Sequence, residues 1–341
     1  MSVVGVLTAG GDCPGLNAVI RGVVGRSTER DTEVVGIRNG WEGLMNDRTM
    51  PLDRDDVRGI LGRGGTLLGT SRMDPYVHGD GLDSCSRTIS RNGIDKLIVI
   101  GGDGTLRSAM KLADEGLPVI GVPKTIDNDI AGTDITFGFA TAVQIASDAI
   151  DRLATTAEAH NRVIVVEVMG RTKGWIATYA GISGGADYIL IPEYEYNLDE
   201  IAKTIRGRHR AGHSYSIVVV AEGVNAPEGY EPLVMRKDAF GFERLGGVSY
   251  QIAEAIEDLT QFETRVSVLG HIQRGGTPAA ADRVLATRLG VGAADMAIDG
   301  LTNVMAAVQG TEIVPVPMKV ATESIRGVPQ DIYDTAATFF G

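Results

Sequence analysis

The sequence predicts an α/β protein with mostly parallel sheets, built as two similar three-layer α/β lobes. Three features predict it. Short apolar, β-branched runs alternate with stretches of helical period, the pattern of strand–helix–strand units. The alternation recurs in both halves of a 341-residue chain, a length suited to two domains. Glycines and polar residues gather where the strands end, the edge at which open α/β sheets bind ligands.

In chain order, residues 3–7 read as a buried strand, followed by the turn Thr8-Ala9-Gly10-Gly11-Asp12-Cys13-Pro14-Gly15 and a helix over 16–24. A strand follows at 33–37. The stretch 38–70 is rich in glycine, with a short helix expected at 55–61, and runs into Gly69-Thr70-Ser71-Arg72. A helix at 83–92 precedes the central unit. There a strand at 97–100 meets the turn Gly101-Gly102-Asp103-Gly104-Thr105. A helix with Leu106, Met110 and Ala113 on one face follows, then a strand at 119–122 that ends in Pro123-Lys124-Thr125-Ile126-Asp127-Asn128-Asp129.

The span 139–153 carries the clearest helical stripe, formed by Phe139, Val143, Ala146, Ile150 and Leu153, and reads as core. Strands at 162–168, 188–191, 216–221 and 264–269 alternate with helices opening at 174–180, over 198–208 and after Gly246-Gly247. Helices at 279–289 and about 291–299, one or two strands within 304–316, and a weakly patterned tail complete the chain.

The central unit carries the chemistry. Glycines in Gly101–Thr105 let backbone N–H groups approach phosphate oxygens, and the helix that follows offers its positive end. Asp103 is placed to hold Mg²⁺, directly or through water. The same residues also make an ordinary strand-to-helix turn, and no Lys-Ser/Thr follows the glycines as in a Walker loop. Asp127 at the next strand end is a candidate base for an acceptor hydroxyl; if 127–129 is extended, Asp127 and Asp129 face the same side. A cap or turn is the alternative role for these acids. Gly10 and Gly11 are candidates to grip donor phosphates through their N–H groups.

Composition narrows the function. A net charge of −12 and a pI near 4.9 argue against a general nucleic-acid or anionic-membrane surface. Anionic substrates then need local arginines. Cys13 and Cys85 are the only cysteines, so neither a disulfide framework nor a cysteine-rich zinc site is implied. No membrane-spanning apolar run and no signal-peptide pattern occur, and the expected location is cytoplasmic.

Seven blocks, in order, carry a resemblance: GGDCPGLNAVIR at 10–21, GTSR at 69–72, GGDGT at 101–105, PKTIDND at 123–129, EVMGR at 167–171, AEG at 221–223 and LGHIQRGG at 269–276. Together they resemble the 6-phosphofructokinase family of the bacterial type over nearly the whole chain. GGDGT alone also occurs in NAD and diacylglycerol kinases. The resemblance implies two Rossmann-like α/β/α lobes. Residues 1–138 with about 257–305 would bind ATP and Mg²⁺; residues 139–256 with about 306–341 would bind fructose 6-phosphate.

It further implies ATP contacts at Gly10, Gly11, Arg72, Met73, Gly102, Asp103, Gly104 and Thr105, with Asp103 on the metal. Fructose 6-phosphate would meet Thr125, Ile126, Asp127, Met169, Gly170, Arg171 and Glu222. Its 6-phosphate would meet Arg162 and Arg265, lent by the adjacent subunit of a homodimer or homotetramer, beside His271, Ile272, Gln273 and Arg274. Asp127, Thr125, Arg171 and Gly11 would be catalytic, in a direct in-line transfer with Asp127 taking the proton of the sugar 1-hydroxyl.

Two positions bear on the donor. ATP-using relatives carry Gly at both positions that align with Gly104 and Lys124, and pyrophosphate-using relatives generally carry Asp and Lys. The mixed pair here favours ATP, because a carboxylate at 104 would repel the α-phosphate. A pyrophosphate-dependent phosphotransferase is the alternative. A nucleotide or lipid kinase sharing only GGDGT is disfavoured by EVMGR and GHIQRGG, and a silent binding subunit by the intact Asp103, Asp127 and Arg171. Neutral Gly25, Ala154 and Ala211 stand, with His213, where relatives line an effector site with basic residues; Arg21 and Arg54 remain, but most of the cationic lining is missing, so weak control by ADP and phosphoenolpyruvate is expected. About twenty extra residues near 225–245 also depart from the short bacterial enzymes.

Overall fold

The computed structural model describes residues 2–77, 79–230 and 246–341. The extra segment noted above lies mostly outside them. The described elements run β1 (Val3–Thr8), α1 (Leu16–Glu29), β2 (Glu33–Ile37), α2 (Gly40–Met45), β3 (Thr49–Leu52), α3 (Gly81–Arg91), β4 (Lys96–Gly101), α4 (Asp103–Asp114), β5 (Val119–Thr125), β6 (Phe137–Gly138) and α5 (Phe139–His160). The chain continues through β7 (Val163–Val168), α6 (Trp175–Ser183), β8 (Tyr188–Leu190), α7 (Leu198–Arg210), β9 (Ser216–Ala221), α8 (Val248–Thr260) and β10 (Thr264–Val268). After a 3₁₀ turn at Gly270–Arg274 come α9 (Ala280–Ile298), β11 (Val304–Gln309), β12 (Glu312–Pro317), α10 (Met318–Glu323) and α11 (Gln330–Ala337).

The chain forms two units. The first comprises Met1–Thr141 and Arg274–Ile325, the second Ala142–Gln273 and Arg326–Gly341. The first holds a sheet in the order β12-β11-β5-β4-β1-β2-β3, with β6 paired to β5. Its central pairs are parallel, while β3 and β12 close the edges antiparallel. β1 and β4 are buried on both faces, as strands covered by helices should be. The second unit holds a parallel sheet in the order β10-β7-β9-β8. In both, the ends of parallel strands gather at one edge of the sheet, where most of the candidate site residues lie; Arg162 and Arg265 stand at the opposite edge of the second sheet, where β7 and β10 begin.

The crossovers fall later than the sequence implied. Residues from 257 to Gln273 belong to the second unit, because β10 pairs with β7; β11 and β12 belong to the first, because β11 pairs with β5. The two helices expected over 279–299 are one, α9. Gly290 is not a break but a close approach to α1: a Cβ there would lie 2.3 Å from the Val19 carbonyl oxygen, and one at Gly22 2.6 Å from that of Thr287. The short helix expected at 55–61 is a run of turns. Asp53 Oδ1 accepts the N–H groups of Asp55 (2.7 Å) and Asp56 (3.2 Å), and Gly59 sits at φ +75°.

Candidate active site

In the first unit, the ends of β1, β4 and β5 bring three of the sequence blocks together. The turn after β1 is strapped to the GTSR segment. The N–H of Gly10 donates to the Ser71 carbonyl at 2.9 Å, and the Thr70 hydroxyl donates to the Gly10 carbonyl at 2.7 Å. Gly10 therefore spends its N–H on the protein and does not offer it to a phosphate, contrary to the expectation for that residue. A Cβ at Gly10 would lie 3.2 Å from the Thr105 hydroxyl and 3.6 Å from the Lys124 ammonium, so the turns after β1 and β4 and the end of β5 adjoin.

Gly11 is gripped from two sides. The buried Lys124 ammonium donates to its carbonyl oxygen. The Arg274 guanidinium covers it so closely that a Cβ would meet Nη1 at 2.5 Å, so any side chain at 11 would displace Arg274. Arg274, expected among the sugar-phosphate contacts, thus stands beside the donor turn. Burial pushes the Lys124 ammonium below its ordinary pKa. Arg274 acts the same way, against Cys13, Asp127 and Asp12. Cys13, buried beneath, has its thiol pushed far up by burial, which makes it a small apolar filler rather than a nucleophile.

The GGDGT turn becomes the first turn of α4, with Gly102 extended and its carbonyl accepting from Leu106 at 2.9 Å. Asp103 is partly exposed, and Arg107, one helical turn on, reaches its two carboxylate oxygens at 3.2 and 3.1 Å. Among the described residues no cluster of three or more His, Cys, Asp or Glu could hold a metal. A Cβ built on Gly104 meets nothing within 4 Å. Arg72 is exposed and Met73 half-buried in the strap that holds Gly10.

Beyond β5 the chain does not stay extended. Asn128 adopts a left-handed φ of +53°, so the alternation expected to align Asp127 with Asp129 does not hold. The bend is built by side chains. The Asp127 N–H donates to the Thr125 hydroxyl at 3.0 Å, and Asn128 Oδ1 accepts from the Thr136 N–H at 3.0 Å. The Thr136 hydroxyl in turn donates to the Thr125 carbonyl at 2.8 Å. Asp127 is 5 % exposed, at the end of this bend, with Ile126 buried behind it. The Thr125 hydroxyl is thus engaged with the Asp127 backbone. Asn128 and Thr136, which sequence reasoning passed over, fix the bend; the Asn in Asp-Asn-Asp was a visible signal, since Asn is the residue that most readily takes a left-handed turn besides Gly.

In the second unit, β7 ends in Met169, Gly170 at φ +143° and Arg171 at φ +53°. Glu222, at the end of β9, braces that turn: its Oε1 accepts the N–H groups of Gly170 (3.3 Å) and Arg171 (3.0 Å). Gln273 does the same for Met169, accepting its N–H at 2.9 Å. Gln273 is fully buried, so it holds the turn instead of touching a sugar as expected. His271 and Ile272 are exposed.

Arg162 and Arg265 open β7 and β10 side by side, and both bind Glu263. Arg162 Nη2 lies 2.8 Å from its Oε1, and Arg265 Nη2 contacts the same oxygen. These hydrogen bonds, that from Arg162 foremost, hold the Glu263 carboxyl below the ordinary range. Glu263 was missed, though a Glu two residues before an Arg on a strand shares its face. Glu167 was passed over as well. Buried, it accepts from the Gly247 N–H (2.9 Å), the Ser249 N–H (3.1 Å) and the Ser249 hydroxyl, which caps α8.

A cavity of about 420 Å³ in the first unit is lined by Arg21, Gly25, Arg54, Arg26 and Arg58 among others. Beyond Arg21 and Arg54 it adds Arg58 and Arg26, the latter engaged by Glu29 and Asp295.

The sequence profile of the Phosphofructokinase family matches residues 3–297. A pyrophosphate–fructose 6-phosphate 1-phosphotransferase from Amycolatopsis mediterranei is 51 % identical over 341 residues, covering 99 % of each chain. An ATP-dependent 6-phosphofructokinase from Corynebacterium efficiens is 50 % identical with the same coverage. The solved structure of phosphofructokinase from Saccharomyces cerevisiae superposes with a TM-score of 0.83 at 32 % identity, over 95 % of this chain and 45 % of that one. The chain belongs to the phosphofructokinase family, and its fold is that of the family.

Proposed function

We propose that this phosphofructokinase transfers the terminal phosphoryl group of ATP to the 1-hydroxyl of D-fructose 6-phosphate, giving fructose 1,6-bisphosphate and ADP. The observation that carries the choice of donor is the open space at Gly104. Gly104 presents no side chain at its place in the first turn of α4 to meet the nucleoside-bearing α-phosphate, and the helix end favours negative charge there. Lys124, the feature shared with pyrophosphate-using relatives, bonds the Gly11 carbonyl and acts as a strut of the turn. The second reading is a pyrophosphate-dependent enzyme, favoured by the name of the Amycolatopsis relative. A coupled assay with fructose 6-phosphate and either ATP or pyrophosphate separates them. Higher kcat/KM with pyrophosphate overturns the ATP reading.

In this mechanism Asp127 receives the proton of the attacking hydroxyl, oriented by Thr125. Gly11 offers close backbone approach, and Arg72, Arg171 and Arg274 supply positive charge to the moving phosphoryl group. Asp103 would hold Mg²⁺, which supplies charge neutralisation at the donor oxygens once Arg107 yields. Met169 and Gly170 shape the sugar contact, with Glu222 and Gln273 as braces. Arg162 and Arg265 bind the 6-phosphate, and His271 and Ile272 lie beside it, in a homodimer or homotetramer where these arginines serve the neighbouring subunit. No covalent phosphoenzyme is needed. Control by ADP or phosphoenolpyruvate is weak in this reading, and a sigmoidal fructose 6-phosphate curve relieved by ADP would contradict it.

A further inference from the structure

We propose that Glu263 is a built-in competitor for the substrate phosphate, occupying Arg162 and Arg265 until a dianionic phosphoryl group takes its place. This rests on the reading above that these two arginines bind the 6-phosphate.

The arrangement follows from the sheet. β7 and β10 pair in parallel, Thr264 opposite Val163 and Arg265 opposite Ile164, and the Val163 N–H donates to the Glu263 carbonyl at 3.0 Å. That register sets residue 263 beside residue 162 on the neighbouring strand. Along its own strand, Glu263 shares a face with Arg265 two residues on. One carboxylate oxygen thus collects both guanidinium groups, 2.8 Å from Arg162 Nη2 and in contact with Arg265 Nη2. Arg265 also donates through Nη1 to the Thr264 carbonyl at 3.0 Å, which limits its swing.

Charge and exposure make the carboxylate displaceable. Two guanidinium groups face one carboxylate, so a single positive charge stays uncompensated, and a phosphate dianion matches the two cations where Glu263 does not. The side chains are 28 % (Arg162), 55 % (Arg265) and 41 % (Glu263) exposed. Ion pairs so open to water are weak and exchange readily. A phosphate offers several oxygens to two planar forks and forms the stronger, polydentate contact. Singly charged anions do not. Glu263 therefore raises the threshold for occupancy and reserves the arginines for phosphoryl groups. It is a positioning and selectivity residue, since it touches the arginines and not the reacting atoms.

The test uses the full-length enzyme. KM for fructose 6-phosphate is measured at saturating donor, and the binding of inorganic phosphate by calorimetric titration, in wild type, Glu263→Gln, Glu263→Ser, Glu263→Asp, Arg162→Ala and Arg265→Ala. A competitor predicts that Glu263→Gln and Glu263→Ser lower both KM and the phosphate dissociation constant by about three- to tenfold, the scale of losing one or two exposed ion pairs. The change falls on KM rather than kcat, and Glu263→Asp, which keeps the charge, moves both values back toward wild type. A brace that merely orders the arginines predicts the reverse, a raised KM in Gln and Ser. That result, or an unchanged KM and phosphate affinity, overturns the proposal while Arg162→Ala and Arg265→Ala still raise KM. If instead neither arginine substitution changes KM, the assignment of the arginines to the phosphate fails, and this inference with it.

Discussion

Two charge clusters, one in each unit, are held in opposite ways. In the first, Lys124 and Asp127 are each 5 % exposed, and backbone bends and hydrogen bonds hold them in place. In the second, Arg162 and Arg265 are open to water and share one exposed carboxylate. A desolvated charge interacts strongly and has one geometry; a solvated one interacts weakly and exchanges partners. The first arrangement suits the chemical step, which needs a base and phosphates in fixed positions. The second suits capture and release of an anionic substrate. The comparison predicts that substitutions at Asp127 and Gly104 act on kcat and donor choice, and those at Arg162 and Arg265 on KM.

The largest expected effect is at Asp127. Asp127→Asn keeps the shape of the bend and removes the proton acceptor. kcat should fall by roughly 10²–10⁴-fold, with little change in KM for fructose 6-phosphate. A loss that appears in KM while single-turnover rates stay near wild type would erase the contrast between the units.

Next is Gly104→Asp. The space for a Cβ is open, so the variant should fold normally and any defect belongs to ligand binding. A carboxylate about 4 Å from an α-phosphate charge costs roughly 4 kcal/mol at an effective dielectric near 20, close to a thousandfold in kcat/KM for ATP. Pyrophosphate carries no nucleoside-bearing phosphate and should lose less. Equal losses with both donors would remove Gly104 as the donor switch.

Arg162→Ala should raise KM for fructose 6-phosphate by about 10–100-fold, the scale of one charge-assisted hydrogen-bonding group, and lower kcat less. Mixing this variant with Asp127→Ala sharpens the point. If Arg162 serves a neighbouring subunit, activity returns once subunits exchange. Exchange demonstrated by native mass spectrometry with no return of activity would place Arg162 in its own subunit's site.

The legible parts of the sequence were those in which local pattern and tertiary role agree. Gly101–Thr105 after an apolar run reads as a strand-to-helix turn, and it is one. The Asp127 bend was only half legible. An acid at a strand end could be seen, but the left-handed Asn128 and its bond to Thr136 depend on a residue eight positions away. Gln273 lies in a conspicuous block, which by itself points to a substrate contact. Its burial against the Met169 N–H depends on how β7 and the turn after β10 adjoin, which no local pattern encodes. Gly290 read as a helix break because its use, a close approach of α9 to α1, requires both helices to be in place. Glu263 was missed for the same reason: the strand pairing that joins it to Arg162 spans about a hundred residues.

The smallest effect concerns Lys124 and tests the burial on which the comparison stands. Burial is the main cause lowering its pKa in the folded protein from 10.5. In the unfolded chain it is solvated and keeps its ordinary value. Between the lowered folded pKa and the unfolded one, the unfolded state binds more protons, so stability rises with pH across that window. Below the window both states are protonated and the folded protein carries the full cost of a buried ammonium. Lys124→Met removes this titration and leaves every other group common to both proteins. The difference in Tm, wild type minus variant, should therefore move in favour of wild type as pH is raised from 7 toward 10. Paired thermal melts over that range read the slope. A flat or opposite slope would mean that Lys124 is as solvated in the folded enzyme as in the unfolded chain, and the sealed donor side would lose its defining member.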